Sequence, residues 1–165
     1  MKRFDPLTDS DSVEPILSQI SFLGGITETQ RENIYSYFEG ARYAKGEFIA
    51  RHGEEPSHIY IIKSGVISLQ IDDGGEIINK RTFAVGDCFG EAAMLSLINN
   101  TASFVAAEDC ELVAISRKSM NRLRREDPVV FSQLILNLAR DLARKLQFTD
   151  EMLLHPDAEK LQDKD

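Results

Sequence analysis

The sequence predicts an α+β domain in which a run of short strands lies between helical segments. Three observations carry this. Apolar residues recur at helical spacing up to about residue 43 and again beyond Arg117. The stretch between breaks into short β-rich runs. Glycine-bearing turns separate those runs at near-regular intervals, the pattern of a sandwich or barrel and not of a parallel sheet.

Residues 1–12 are polar, with one proline and three aspartates, and read as a flexible lead-in. From Val13 to Tyr43 the pattern is helical. Ile16, Leu17, Ile20, Phe22 and Leu23 form a first apolar cluster, which Gly24-Gly25 stops. Thr27 then stands three residues before Gln30, a capping box that opens a second helix. Ile34, Tyr37 and Phe38 recur at helical spacing, and Gly40 closes the segment.

Strands are expected over about residues 44–116. The β-rich runs are 48–50, 59–62, 66–71, 77–78, 82–83, 103–107 and 111–115. Between them stand Lys45-Gly46, His52-Gly53, Ser64-Gly65, Asp73-Gly74-Gly75 and Val85-Gly86-Asp87, of which Asp73-Gly74-Gly75 is the clearest hairpin signal. Helical spacing returns over about 117–155. Ser116 or Ser119 caps a short helix around Met120, and Pro128 resets the chain for a long one. That helix covers residues 129–154, from Val129 to Leu154, with Phe131, Leu134, Ile135, Leu138, Leu142, Leu146 and Leu153 on one face. The ordered domain therefore spans 13–155, and the polar residues 156–165 read as a disordered tail.

Composition narrows the function classes. The chain has 165 residues, enough for one domain with its own core. A net charge of −8 repels phosphate backbones at long range and argues against general nucleic-acid binding. The basic cluster Arg122-Leu123-Arg124-Arg125 is diluted by Glu126 and Asp127 and reads as a solvated helix face. Cys88 and Cys110 have neither metal-ligand nor disulfide spacing and are expected as buried reduced thiols. The N-terminus lacks the apolar stretch of a signal peptide, and no run approaches the roughly 18 apolar residues of a membrane span. A cytoplasmic location without membrane contact follows as the expectation. His52, His58 and His155 stand in no arrangement with a nucleophile, so no catalytic or metal-binding residue is assigned and an enzyme is not expected.

The segment of residues 89–106, FGEAAMLSLINNTASFVA, looks like a pocket for a small polar ligand. Gly90 has no Cβ and lets a backbone approach closely. With Glu91 opening a short helix through Leu95, the free N–H groups of its first turn form an anion site. The Glu91 carboxylate can accept hydrogen bonds from sugar hydroxyls. The small residues Ala92, Ala93, Thr101 and Ala102 leave room beside that turn. A turn glycine, a helix-start carboxylate and a plain strand entry would account for the same residues structurally.

The order of the whole chain resembles the cyclic nucleotide-binding domain family. Gly46-Glu47, Gly53, the strand of residues 59–62, Ser64-Gly65, Gly86-Asp87, Phe89-Gly90-Glu91 and the terminal helices carry that resemblance over residues 14–155. It implies an eight-stranded antiparallel β-roll (jelly-roll-like) flanked by N-terminal helices and a long C-terminal helix, with a phosphate-binding cassette between two strands. In that family the Gly-Glu pair meets the ribose, the glutamate taking the 2′-hydroxyl. Backbone amides and an arginine nine or ten positions on meet the cyclic phosphate. Phe89, Gly90, Glu91, Ala93 and Leu95 match the motif. Thr101 and Ala102 match the pair after the arginine, and a threonine there is the type seen in domains that favour guanine. The arginine does not match, because Asn100 and Thr101 stand at those two positions.

Arginine offers a phosphate two parallel charge-assisted hydrogen bonds, whereas asparagine offers one neutral amide. A hydrogen bond to a charged group contributes roughly 1.5–3 kcal/mol and an unpaired buried charge costs roughly 3–5 kcal/mol. Affinity for a cyclic phosphate is therefore expected to fall by about 10²- to 10³-fold. Arg140 or Arg144 of the long helix could supply a distant cation.

Three readings follow. The chain is a non-enzymatic sensor or regulatory module with a departed phosphate cassette, a working sensor of cyclic AMP or cyclic GMP, or a dimeric interaction scaffold without a ligand. Gly90, Glu91 and Ala92 beside Phe89 are assigned to sugar and backbone contacts, and Asn100, Thr101 and Ala102 to the phosphate or its replacement. No cofactor is fixed, the implied ligand being cyclic AMP, cyclic GMP or another small molecule. The catabolite-activator branch of the family pairs its long helix with a twin and follows it with a DNA-reading domain. Here the ridge Leu138, Leu142, Leu146 predicts a homodimer through the helix of residues 129–154. The chain ends about ten residues beyond Leu154, so direct DNA binding is not expected and an unidentified effector protein reads the output.

Overall fold

The computed structural model of the protein describes residues 4–7, 15 and 21–154. Ile16, Leu17, Ile20 and the tail of residues 156–165 lie outside these. Nine strands are described: β1 (Asp5–Pro6), β2 (Phe38–Tyr43), β3 (Phe48–Ala50), β4 (His58–Ser64), β5 (Ile67–Asp73), β6 (Glu76–Phe83), β7 (Cys88–Phe89), β8 (Ser103–Ala106) and β9 (Cys110–Ser116). They form two antiparallel sheets, ordered β1-β2-β9-β4-β7 and β3-β8-β5-β6. The described helices are α1 (Glu28–Ile34), α2 (Glu91–Ser96), α3 (Arg117–Glu126) and α4 (Pro128–Leu154). The result is an α+β sandwich with a long C-terminal helix.

Three expectations need correction. Eight strands become nine, because Asp5–Pro6, inside the segment expected as a flexible lead-in, pairs with Gly40 and Glu39 at the sheet edge. Proline is tolerated there since an edge strand need not donate on both sides. N-terminal helices flanking the roll reduce, among the described residues, to α1 and 3-10 turns at Ser21–Leu23 and Tyr35–Tyr37. Strands also begin earlier than residue 44. Residues 38–43 are β2, and Gly40 lies mid-strand opposite Val113 instead of ending a helix. The three-and-four spacing of Ile34, Tyr37 and Phe38 is real as a burial pattern. All three are buried in one core, but from a helix end, a 3-10 turn and a strand.

Local signals hold elsewhere. The Thr27 hydroxyl accepts from the Gln30 amide at 3.3 Å, and the Gln30 side chain accepts from the Thr27 amide at 3.0 Å, completing the capping box. Gly74 and Gly75, at φ 67° and 96°, make the two-residue turn between β5 and β6. Two positive-φ positions in succession suit the right-handed twist of a hairpin. Ser116 caps α3, and Asp127 caps α4 with Pro128 at its first position.

Strand β4 explains the uninterrupted apolar run Ile59-Tyr60-Ile61-Ile62. Its alternate side chains serve two cores. Ile59 and Ile61 face a layer containing Phe22, Leu123, Leu134 and Leu138, while Tyr60 and Ile62 face the interior of the roll with Phe83, Phe89 and Leu112. The first half of α4 is fixed on the roll through Val130, Leu134 and Leu138. Buried Asn137 adds hydrogen bonds from its Nδ2 to the carbonyls of Phe22 and Gly24. Among the described residues no helix is long and apolar enough to cross a membrane.

Candidate functional site

Strand β7 brings Phe89 against Tyr60 of β4, with the rings stacked at 5.0 Å. The chain must then turn sharply into α2. Gly90 makes the turn at φ 84°, and a Cβ there would meet the carbonyl oxygen of His58 at 2.8 Å. Both the conformation and the close approach demand glycine. Glu91 follows as the first residue of α2, buried to 4% exposure.

Beyond α2, Leu97 takes a left-handed conformation at φ 59° and turns the chain back. The returning segment is tied to the loop after β3. Asn99 Nδ2 donates to the Gly53 carbonyl at 2.9 Å, the Gly53 amide to the Asn100 carbonyl at 2.7 Å, and the Asn100 amide to the Glu54 carbonyl at 3.0 Å. The Asn100 backbone is therefore placed independently of its side chain. Ala102 leads directly into β8.

Phe89, Gly90, Glu91, Ala92, Asn100, Thr101 and Ala102 all line one cavity of about 340 Å³. One wall is aromatic: Phe89 stacks on Phe104 at 4.8 Å and contacts Phe83 at 5.9 Å. The opposite wall belongs to α4, through Leu142, Lys145, Leu146 and Thr149. A small amphipathic molecule would thus meet a carboxylate and backbone at one end, rings along its body and a helix on top.

The fold also supplies cations to this cavity, Arg81 of β6 and Lys145 of α4. Arg140 and Arg144, the expected distant candidates, are not among its lining residues; Arg144 instead lies 3.6 Å from Asp141. Lys145 was legible only as a flank of the helix, although it follows Leu142 by one turn. Arg81 carried no signal, since only the β5–β6 hairpin brings it near the cassette.

Lys145 is tightly engaged. Its Nζ lies 2.6 Å from Glu91 Oε1 and 2.7 Å from Asp141 Oδ2, and donates to the Cys88 carbonyl at 2.8 Å. Burial alone would lower the ammonium's pKa, but Glu91 and Asp141 outweigh that and hold it above the usual lysine range. Two acidic side chains thus share one ammonium. Burial, with the Glu91 carboxylate nearby, pushes the Cys88 thiol well up and keeps it protonated. Among the described residues no group of three metal-ligating side chains stands together.

Comparison with known proteins gives a consistent result. Residues 41–127 match the family described as cyclic nucleotide-binding domain. The chain is 34% identical over 130 residues to the cyclic AMP receptor protein of Thermus thermophilus, covering 76% of this chain and 57% of that one. It spans only 14–28% of several cAMP- and cGMP-dependent protein kinase chains and regulatory subunits that it also matches. The solved structure of a cyclic nucleotide-binding domain from Methylobacillus flagellatus superposes with a TM-score of 0.80 over 93% of this chain and 87% of that one, at 16% identity. A mutant regulatory subunit of a cAMP-independent protein kinase A from Trypanosoma brucei, with cAMP in its A site, gives 0.65 over 78% of this chain and 45% of that one, at 25% identity.

Proposed function

The chain belongs to the cyclic nucleotide-binding domain family, and on that premise we propose that it is a cytoplasmic small-molecule sensor whose cassette no longer grips a phosphate through arginine. Domains of this family are regulatory modules and not catalytic ones. One observation carries the reading: Gly90-Glu91 and Asn100-Thr101 line the same cavity, and the segment between them contributes no cation. The sugar-facing half of the site is kept while the phosphate-facing half is neutral.

In this mechanism a ribose hydroxyl donates to Glu91, the base lies along Phe83, Phe89 and Phe104, and Thr101 borders the base and phosphate. The helix α4 forms the opposite wall and holds Glu91 through Lys145. Filling the cavity therefore biases where α4 sits, which is the output. The T. brucei structure supports the weight placed on arginine: one of that mutant's three substitutions introduces an arginine, and the mutant is bound to cAMP. Calorimetry on this protein with adenosine, guanosine and their cyclic monophosphates tests the reading. Weak binding is expected, with each cyclic nucleotide no more than about tenfold better than its nucleoside; silence with all four would overturn it.

The output surface is the far half of α4. Leu146, Leu153 and Leu154 are 62%, 74% and 74% exposed. Apolar side chains in that number along one helix favour a second copy of the helix as their cover. A homodimer is the expected species in light scattering at low micromolar concentration; a monomer there would remove the dimer and leave the sensor intact. The net charge of −8 argues against DNA as the partner of these residues, so the reader of the output is an effector protein.

A further inference from the structure

We propose that the roll holds a second binding site, beside the N-terminal strand, which takes a small organic ammonium with an apolar body. A cavity of about 670 Å³ lies there and shares no lining residue with the cassette cavity. Strand β1 builds one wall. Pairing of Asp5 and Pro6 with β2 delivers Phe4, whose ring stacks on His58 at 4.0 Å and lies tilted against Tyr60 at 6.5 Å. Tyr43, Ile49 and Tyr60, buried residues of the roll's interior, also line the cavity. Burial pushes both tyrosine hydroxyls above their usual range, so these rings stay neutral.

The charged residues on the lining are Glu47, Glu54 and Arg51. Each glutamate spends one oxygen on its own turn, Glu47 Oε2 accepting from the Ala44 amide at 2.8 Å and Glu54 Oε2 from the Arg51 amide at 2.9 Å. Among the described residues neither carboxylate has a further hydrogen bond or an ion pair. The Arg51 guanidinium lies 3.7 Å from the centroid of the Phe48 ring. Two carboxylates against one guanidinium, in a protein of net charge −8, make this cavity attractive to a cation and repellent to an anion. Aromatic faces add to that attraction, and an apolar body displaces water from Phe4, Ile49 and Tyr60. Glu47 and Glu54 are exposed, so solvent screens them. The positive charge is therefore expected to contribute about tenfold in affinity.

Calorimetry with phenethylammonium, phenethyl alcohol and phenylpropionate, probes of similar shape and different charge, tests the site. Wild type is expected to bind the ammonium about tenfold more tightly than the alcohol and the carboxylate most weakly, with the preference shrinking as salt rises. The double variant Glu47→Gln, Glu54→Gln should bring the ammonium down to the affinity of the alcohol. Glutamine keeps a carbonyl oxygen for each turn amide, so the fold and the binding of the alcohol should be unchanged. Each single substitution should remove part of the preference, about threefold. Glu91 of the cassette is untouched in these variants. An ammonium preference that survives in them would place the probe elsewhere and overturn the proposal. Equal affinity of wild type for ammonium and alcohol, or silence with all three probes, also overturns it and leaves the cassette reading standing.

Discussion

Asn100→Arg is expected to tighten cyclic AMP binding by about 10²- to 10³-fold while leaving adenosine unchanged. The gain follows from replacing one neutral amide with two parallel charge-assisted hydrogen bonds to a phosphate. The backbone is ready for the substitution. Asn100 is held by hydrogen bonds from Gly53 and to Glu54 that do not involve its side chain. Its side chain is buried, but it borders a cavity of about 340 Å³ into which a longer group can extend. Calorimetry reads the effect directly. An unchanged cyclic AMP affinity in a folded variant would show that position 100 does not face the phosphate.

Lys145→Met should destabilise the protein by about 3 kcal/mol. Stranding a buried charge costs roughly 3–5 kcal/mol, and the partial exposure of Lys145 and Asp141 places this case at the lower end. Methionine fills similar space, so the loss reports charge and not packing. For a domain of this size the melting temperature should drop by about 6–12 °C. Adding Glu91→Gln should recover part of the loss, because it removes the carboxylate left alone. The sign with pH follows from the shift. Lys145 is held above its ordinary 10.5, so its contribution is fully present below that pH and fades only above it. A melting temperature within 2 °C of wild type would mean that the Glu91–Lys145 pair does not fasten α4 to the cassette.

The parts of the fold legible in the sequence are those specified locally. The capping box at Thr27 and Gln30, the Gly74-Gly75 hairpin and the Ser116 cap each need only neighbours in the chain. Residues 38–43 were misread because their spacing is shared by a helix and by a burial pattern that three short elements build together. Only pairing with Leu112, Val113 and their neighbours in β9 decides for a strand. The candidate site divides in the same way. Phe89 to Ala93 and Asn100 to Ala102 are continuous in the chain and could be read as a pocket. Arg81 and Lys145 reach it by tertiary folding alone, Lys145 from 54 residues beyond Glu91. The segment itself holds no lysine or arginine, as the sequence shows, and the distant cations that line the cavity are Arg81 and Lys145, not Arg140 or Arg144.

The most direct measurement is the ratio of cyclic nucleotide to nucleoside affinity in the unmodified protein, taken at one salt concentration for adenine and guanine alike. A ratio of no more than about ten means that the sugar and base are held while the phosphate is not gripped, as proposed. A ratio near 10³ would contradict it, since a full phosphate clamp would then exist without the arginine.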